Sequence, residues 1–135
     1  MIDIPYNPDA DAALEQLKTG EANFVILSVE TDPTVHIALD THGTAATFTD
    51  LAGKVKPDAP RFVFYTHPDG RRAPSMVLVY VCPPTAPVKS RMVHSGFLQL
   101  MVHVLKTRRG YHIVKKFEVE NMTDVDGREV DELLA

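Results

Sequence analysis

The side chains that could do chemistry in this chain are few. One cysteine, Cys82, and six histidines (His36, His42, His67, His94, His103 and His112) are the candidates for nucleophile, base and metal ligand. No two histidines stand at a usual zinc-ligand spacing, and one cysteine excludes a multi-thiolate zinc site and an internal disulfide framework. Cys82 ends an apolar run just before Pro83 and Pro84, which predicts a buried structural thiol and not an activated one. Gly110 and Gly127 are isolated, so there is no glycine-rich phosphate loop. The expectation is a protein that is not an enzyme and needs no cofactor. Lys89, Arg91 and Met92 are more informative, because they open a predicted long helix. Free N–H groups give a helix start partial positive charge, so acids are favoured there. Two cations and an apolar Met break that preference, and such breaks concentrate at functional sites. The alternative is two solvated cations beside a partly buried Met92.

Charge along the chain is segregated. Residues 1–53 carry −8, residues 54–116 carry +10 and residues 117–135 carry −6, within a net charge of −4. The basic middle either meets an acidic partner or meets the chain's own acidic ends. Nucleic acid is a poor partner: Lys106, Arg108, Arg109, Lys115 and Lys116 cluster, but Tyr111 is the only aromatic beside them before Phe117. With 135 residues, 44% hydrophobic and 24% charged, the chain is expected to fold as one soluble domain over residues 1–135. No apolar run reaches the ~18 residues of a membrane span. The acidic N-terminal residues lack a secretory pattern, and the single cysteine suits a reducing compartment.

The elements that must position these residues alternate. A helix is predicted over residues 8–19, stopped by Gly20, then a strand over 23–30 and a second strand through Val35, Ile37 and Leu39, paired as a hairpin across Asp32-Pro33. A weaker helix is predicted over 47–55. Strands follow over 62–65 and 76–81, joined by a turn at Asp69-Gly70. The second of these is so continuously apolar that it belongs inside a sheet. The long helix is predicted over 88–106, a strand over 111–120 and a last helix over 123–134. On the long helix Val93, Phe97, Leu100 and Val104 form one stripe toward the sheet, widened by Leu98, Met101 and Leu105. Met92, Ser95 and Gln99 form a second stripe, and His94 and His103 are read as surface groups. Lys115 shares a strand face with apolar Ile113, Phe117 and Val119. It either extends from an edge strand or is turned out by a bulge, and the pattern does not choose.

The run Thr85-Ala86-Pro87-Val88-Lys89-Ser90-Arg91-Met92, between an apolar strand and a long helix, resembles the signature of the actin-depolymerising-factor homology domain, the domain of cofilins and twinfilins. The order of the remaining elements, with Pro60-Arg61-Phe62 and the Asp69-Gly70 turn, is similar too. Ile4-Pro5, Asp11-Ala12-Ala13-Leu14, Asn23-Phe24-Val25 and residues 114–121 resemble the C-terminal domain of twinfilins in particular. The resemblance implies an α+β fold: a central mixed sheet of five or six strands flanked by about four helices. It implies actin binding, with monomers preferred, by a monomeric protein of the cytoplasm and cytoskeleton. The positions that match actin contacts are Lys89, Arg91 and Met92, followed on the same face by Ser95 and Gln99, with Ile4 and Tyr6 from the N-terminal segment. Family members also bind phosphoinositides, and Lys106, Arg108, Arg109, Lys115 and Lys116 are the candidates here. Cofilins use cations on a strand and on the last helix to grip filaments. Here Arg71 and Arg72 are the filament-side candidates, but Ala73 and Ser75 follow and the last helix is acidic, so cofilin-like severing is the alternative and not the expectation. The first serine is Ser28, which leaves no counterpart of the N-terminal regulatory serine of cofilins.

Overall fold

The computed structural model describes residues 6–69, 75–107 and 109–135. Among them the order is α1 (Pro8–Thr19), β1 (Phe24–Glu30), β2 (His36–Gly43), α2 (Phe48–Ala52), β3 (Arg61–Tyr65), β4 (Ser75–Val81), α3 (Val88–Thr107), β5 (His112–Val119), a 3-10 turn (Met122–Asp124) and α4 (Gly127–Leu133). The five strands form one sheet in the order β2-β1-β3-β4-β5. Only the β4–β5 pair is parallel, so the sheet is mixed, as expected. Because strand side chains alternate, the sheet feeds two cores. Val25, Leu27, Phe62, Phe64, Met76, Leu78 and Tyr80 face α1 and α3. Ile26, Val63, Tyr65, Val77, Val79 and Val81 face α2 and α4. β4 lies inside the sheet and is buried from Met76 to Val81, which is why its sequence shows no alternation.

Two irregularities of register matter for the charges. On β2 the pairing skips Asp40, and on β5 it skips Val114. The second is the bulge left open by the sequence. Ile113, before it, packs with the α1–α3 core, whereas Val114, Phe117 and Val119 pack on the other face. β5 is also an edge strand, and Lys115 keeps the face of Phe117 and Val119, so it extends from the edge, the first of the two readings, while the bulge turns Ile113 and not Lys115 to the other face. Its Nζ lies 2.7 Å from Glu129 of α4 and 4.7 Å from the Phe117 ring centroid.

Three expectations need correction. The predicted helix over 123–134 is two elements. Asn121 and Asp124 close a capping box around the 3-10 turn, Val125 is extended, and Asp126 then caps α4 by accepting from Arg128 N–H at 3.0 Å. Two successive capping residues divided what periodicity read as one helix. The start of α4 also packs closely on α2: a Cβ on Gly127 would stand 2.6 Å from Thr49 Oγ1. The second correction concerns α3. Its buried line is His94, Leu98, Met101, Val104 and Leu105, while Val93, Phe97 and Leu100 are half-buried beside it. The face is turned by about one residue, because a histidine, counted as polar in the pattern, is a core residue here. The third is Cys82, which is half-buried and not buried. The Asp69-Gly70 turn falls partly outside the described residues.

Candidate functional site

α3 starts after Pro87, with no acid in its first turn. A shallow groove there is lined by Cys82, Val88, Arg91, Met92 and Ser95. Met92 is 69% exposed and Val88 61%, the two most exposed large apolar side chains among the described residues. Arg91 is held: its Nε donates to the Ala86 carbonyl at 3.1 Å, which leaves the rest of the guanidinium for a partner. Lys89 is exposed and makes no hydrogen bond or ion pair among the described residues. Ser95 Oγ shares a 2.9 Å hydrogen bond with the Tyr80 hydroxyl from β4. Burial first, then the neighbouring Cys82 thiol, pushes Tyr80 up to about 12, so the hydroxyl stays protonated and tethers this helix face to the sheet. Gln99 lies further along the helix and is exposed. The arrangement is an apolar projection beside two cations on a helix anchored from beneath. It can dock on an apolar cleft with an acidic rim.

Of the N-terminal candidates, Tyr6 does not join this cluster. Ile4 lies outside the described residues, as do Arg71, Arg72 and Arg108. Tyr6 forms a parallel bridge with Ile37, and its ring lies 5.2 Å from the Arg109 guanidinium, just beyond the far end of α3. Burial raises the Tyr6 pKa, and its hydroxyl is buried without a hydrogen-bond partner among the described residues.

The other basic candidates are mostly answered from within. Arg109 donates to Asp11, Lys115 pairs with Glu129, and Lys116 lies 3.6 Å from Glu118. Lys106 is exposed and has no partner among the described residues. Further cations of the basic middle meet an acid from the N-terminal part: Arg61 and Lys56 both pair with Asp40, at 2.8 and 3.3 Å. The Asp40 carboxyl is desolvated, which would raise its pKa, but these two cations more than offset that and lower it. The charge segregation is therefore consumed in part by the fold, with Lys89, Arg91 and Lys106 among the cations that pair with no acid among the described residues.

Sequence reasoning missed His94, Val88 and Cys82. His94 is 3% exposed and bridges two elements: its Nε2 accepts the Val29 N–H at 3.0 Å and its Nδ1 lies 2.8 Å from the Ser90 carbonyl oxygen. No local signal marks it, since Val29 is far away in sequence. Val88 is apolar within the first turn and was legible as part of the same oddity as Met92.

Comparisons with known proteins bear on the family and the fold. The sequence profile of cofilin/tropomyosin-type actin-binding proteins matches residues 3–135. A twinfilin of Schizosaccharomyces pombe is 31% identical over 120 residues, covering 87% of this chain and 35% of that protein. The chain thus spans about a third of that relative's length. Among solved structures, Streptomyces griseoflavus cofilin superposes with a TM-score of 0.71 at 15% identity, covering 98% of this chain and 100% of that one. The Eh twinfilin structure gives 0.72 at 15% identity, covering 98% of each chain. Coactosin from Entamoeba histolytica gives 0.68 at 14%, covering 97% and 94%. These structural likenesses establish the fold. Taken with the profile match, the chain belongs to the cofilin/tropomyosin-type actin-binding family.

Proposed function

We propose that residues 1–135 act as one actin-binding unit that engages actin monomers through the start of α3 and so regulates filament turnover, as the likeness to twinfilin suggests. The observation that carries this reading is Met92, exposed to 69% beside Lys89 and the tethered Arg91. Met92 is the apolar anchor, desolvated on docking. Lys89 and Arg91 steer an acidic partner and set its orientation. Because Arg91 is already held by Ala86, less side-chain freedom is lost when it binds. The exposed acids Asp124, Asp126 and Glu132 crowd the last turn and helix, so side-binding to filaments is weaker than monomer binding. Acidic phospholipid headgroups compete for the same cations, with Lys106 as a further contact. The action is cytoplasmic, at the cytoskeleton.

The test is a pair of titrations with monomeric and filamentous actin. The parent binds monomers more tightly than filaments, and Lys89→Glu with Arg91→Glu loses monomer binding while its circular dichroism is unchanged. A double variant that binds as the parent does places the site elsewhere. Tighter cosedimentation with filaments than binding to monomers overturns the monomer preference.

A further inference from the structure

His94 holds the first turns of α3 to the sheet. Its Nδ1 faces the Ser90 carbonyl oxygen, which can only accept, so Nδ1 carries the proton. Nε2 then keeps its lone pair and receives the Val29 N–H at the end of β1. The ring also stacks on Phe62 of β3, centroids 5.6 Å apart and 29° between planes. Only the neutral imidazole fits. A proton on Nε2 would turn a donor toward the Val29 N–H, and neither group would then have an acceptor. Leaving a buried donor unpaired costs about 1–3 kcal/mol, more when charge is involved.

The charged groups around the ring come from each packed element. Arg61 of β3 opposes a second positive charge, and Glu30 of β1 favours it more weakly. Lys89, on the preceding turn of α3, lines with Glu30 the ≈270 Å³ crevice over the ring. Burial is the largest influence, and the His94 pKa is lowered.

We infer that neutral His94 is the positioning residue that fixes Lys89, Arg91 and Met92 against β1, and that its protonation loosens this turn and weakens the hold on actin. The last clause rests on the function proposed above; the rest concerns the free protein. Because the folded-state pKa lies below the ordinary value of about 6.5, the contribution of His94 is complete above that pH and is lost as pH falls through the lower folded value.

The test has two arms. In the free protein, NMR at neutral pH should show the Nδ1–H tautomer, with Nε2 as acceptor. On acidification, protonation of His94 should coincide with lost hydrogen-exchange protection at Val29 N–H. In the second arm, monomeric-actin affinity of the wild type falls by about fivefold or more from about pH 7.5 to below the His94 midpoint located in the first arm. His94→Gln has a carbonyl that can accept from Val29 and does not titrate, so its affinity changes by less than about twofold over the same range. An Nε2–H tautomer, a Val29 amide indifferent to the titration, or a Gln variant as acid-sensitive as the wild type overturns the inference. A wild type with no actin affinity at neutral pH overturns the proposed function alone, and the first arm still decides on His94. If the Gln variant does not fold, the wild-type titration decides.

Discussion

At the start of α3 the cations face outward; beyond its far end Arg109 is answered by the molecule itself. Lys89 has no partner among the described residues, Arg91 gives one N–H to Ala86, and Met92 stands exposed beside them. Past the other end, Arg109 donates to Asp11 and covers the ring of Tyr6, while Lys18 of α1 lies 5.1 Å from the ring centroid of Tyr111. The two regions look equally basic in sequence. The difference is compensation: an acid or an aromatic face arriving from a distant segment turns a cation into part of the fold. A cation left without such an answer, next to an apolar side chain left without cover, is available to a partner.

That contrast predicts separable effects. Met92→Ala should weaken monomer binding by roughly 1–2 kcal/mol, about 5- to 30-fold, because a central apolar anchor is truncated. Its unfolding midpoint should not move, since Met92 buries little surface here; a shifted midpoint would mean that Met92 serves the fold. Tyr65→Phe is the converse. The Tyr65 hydroxyl donates to Asp131 at 2.8 Å, and that carboxylate also accepts from Phe48 N–H. Losing a hydrogen bond to a carboxylate should cost about 1.5–3 kcal/mol in urea unfolding and leave actin affinity unchanged.

Arg109→Ala should lower stability by about 1 kcal/mol or less, as expected for an ion pair with a half-exposed acid plus one cation–ring contact. Actin affinity should again be unchanged; a binding loss comparable to that of Met92→Ala would make both ends of α3 part of one site. The smallest effect concerns Asp40. Its folded pKa is lowered, so the stability it contributes is present above its ordinary value and is lost as pH falls through the folded one. Asp40→Asn should therefore lower stability slightly near neutrality, with the difference from the parent vanishing as pH falls below the folded value, so that the acid limb below about pH 4 is flatter.

How far the sequence revealed this depends on the range of the forces involved. The strands and their succession along the chain were legible because alternation, glycines and prolines act locally, whereas their order in the sheet, β2-β1-β3-β4-β5, rests on long-range pairing and was not. Gly110, at φ 70°, turns the chain between the end of α3 and β5. The candidate site was legible because Lys89, Arg91 and Met92 violate a local rule. His94 was not, because its acceptor role serves Val29, 65 residues away in the chain. Arg109 was read as an outward charge because Asp11, its partner, lies 98 residues away. The last helix was misjudged for a local reason: Asn121 and Asp126 are both good caps, and hydropathy does not show which of them starts a helix.

The most direct test sets two equal charge changes against each other. Lys89→Glu with Arg91→Glu, and Lys106→Glu with Lys116→Glu, alter net charge identically at different places. Each double variant is titrated with monomeric actin at one salt concentration and compared with the parent. The account predicts that the first pair loses binding and the second keeps nearly the parent affinity. Equal losses in both would mean that overall charge, and not the start of α3, governs recognition.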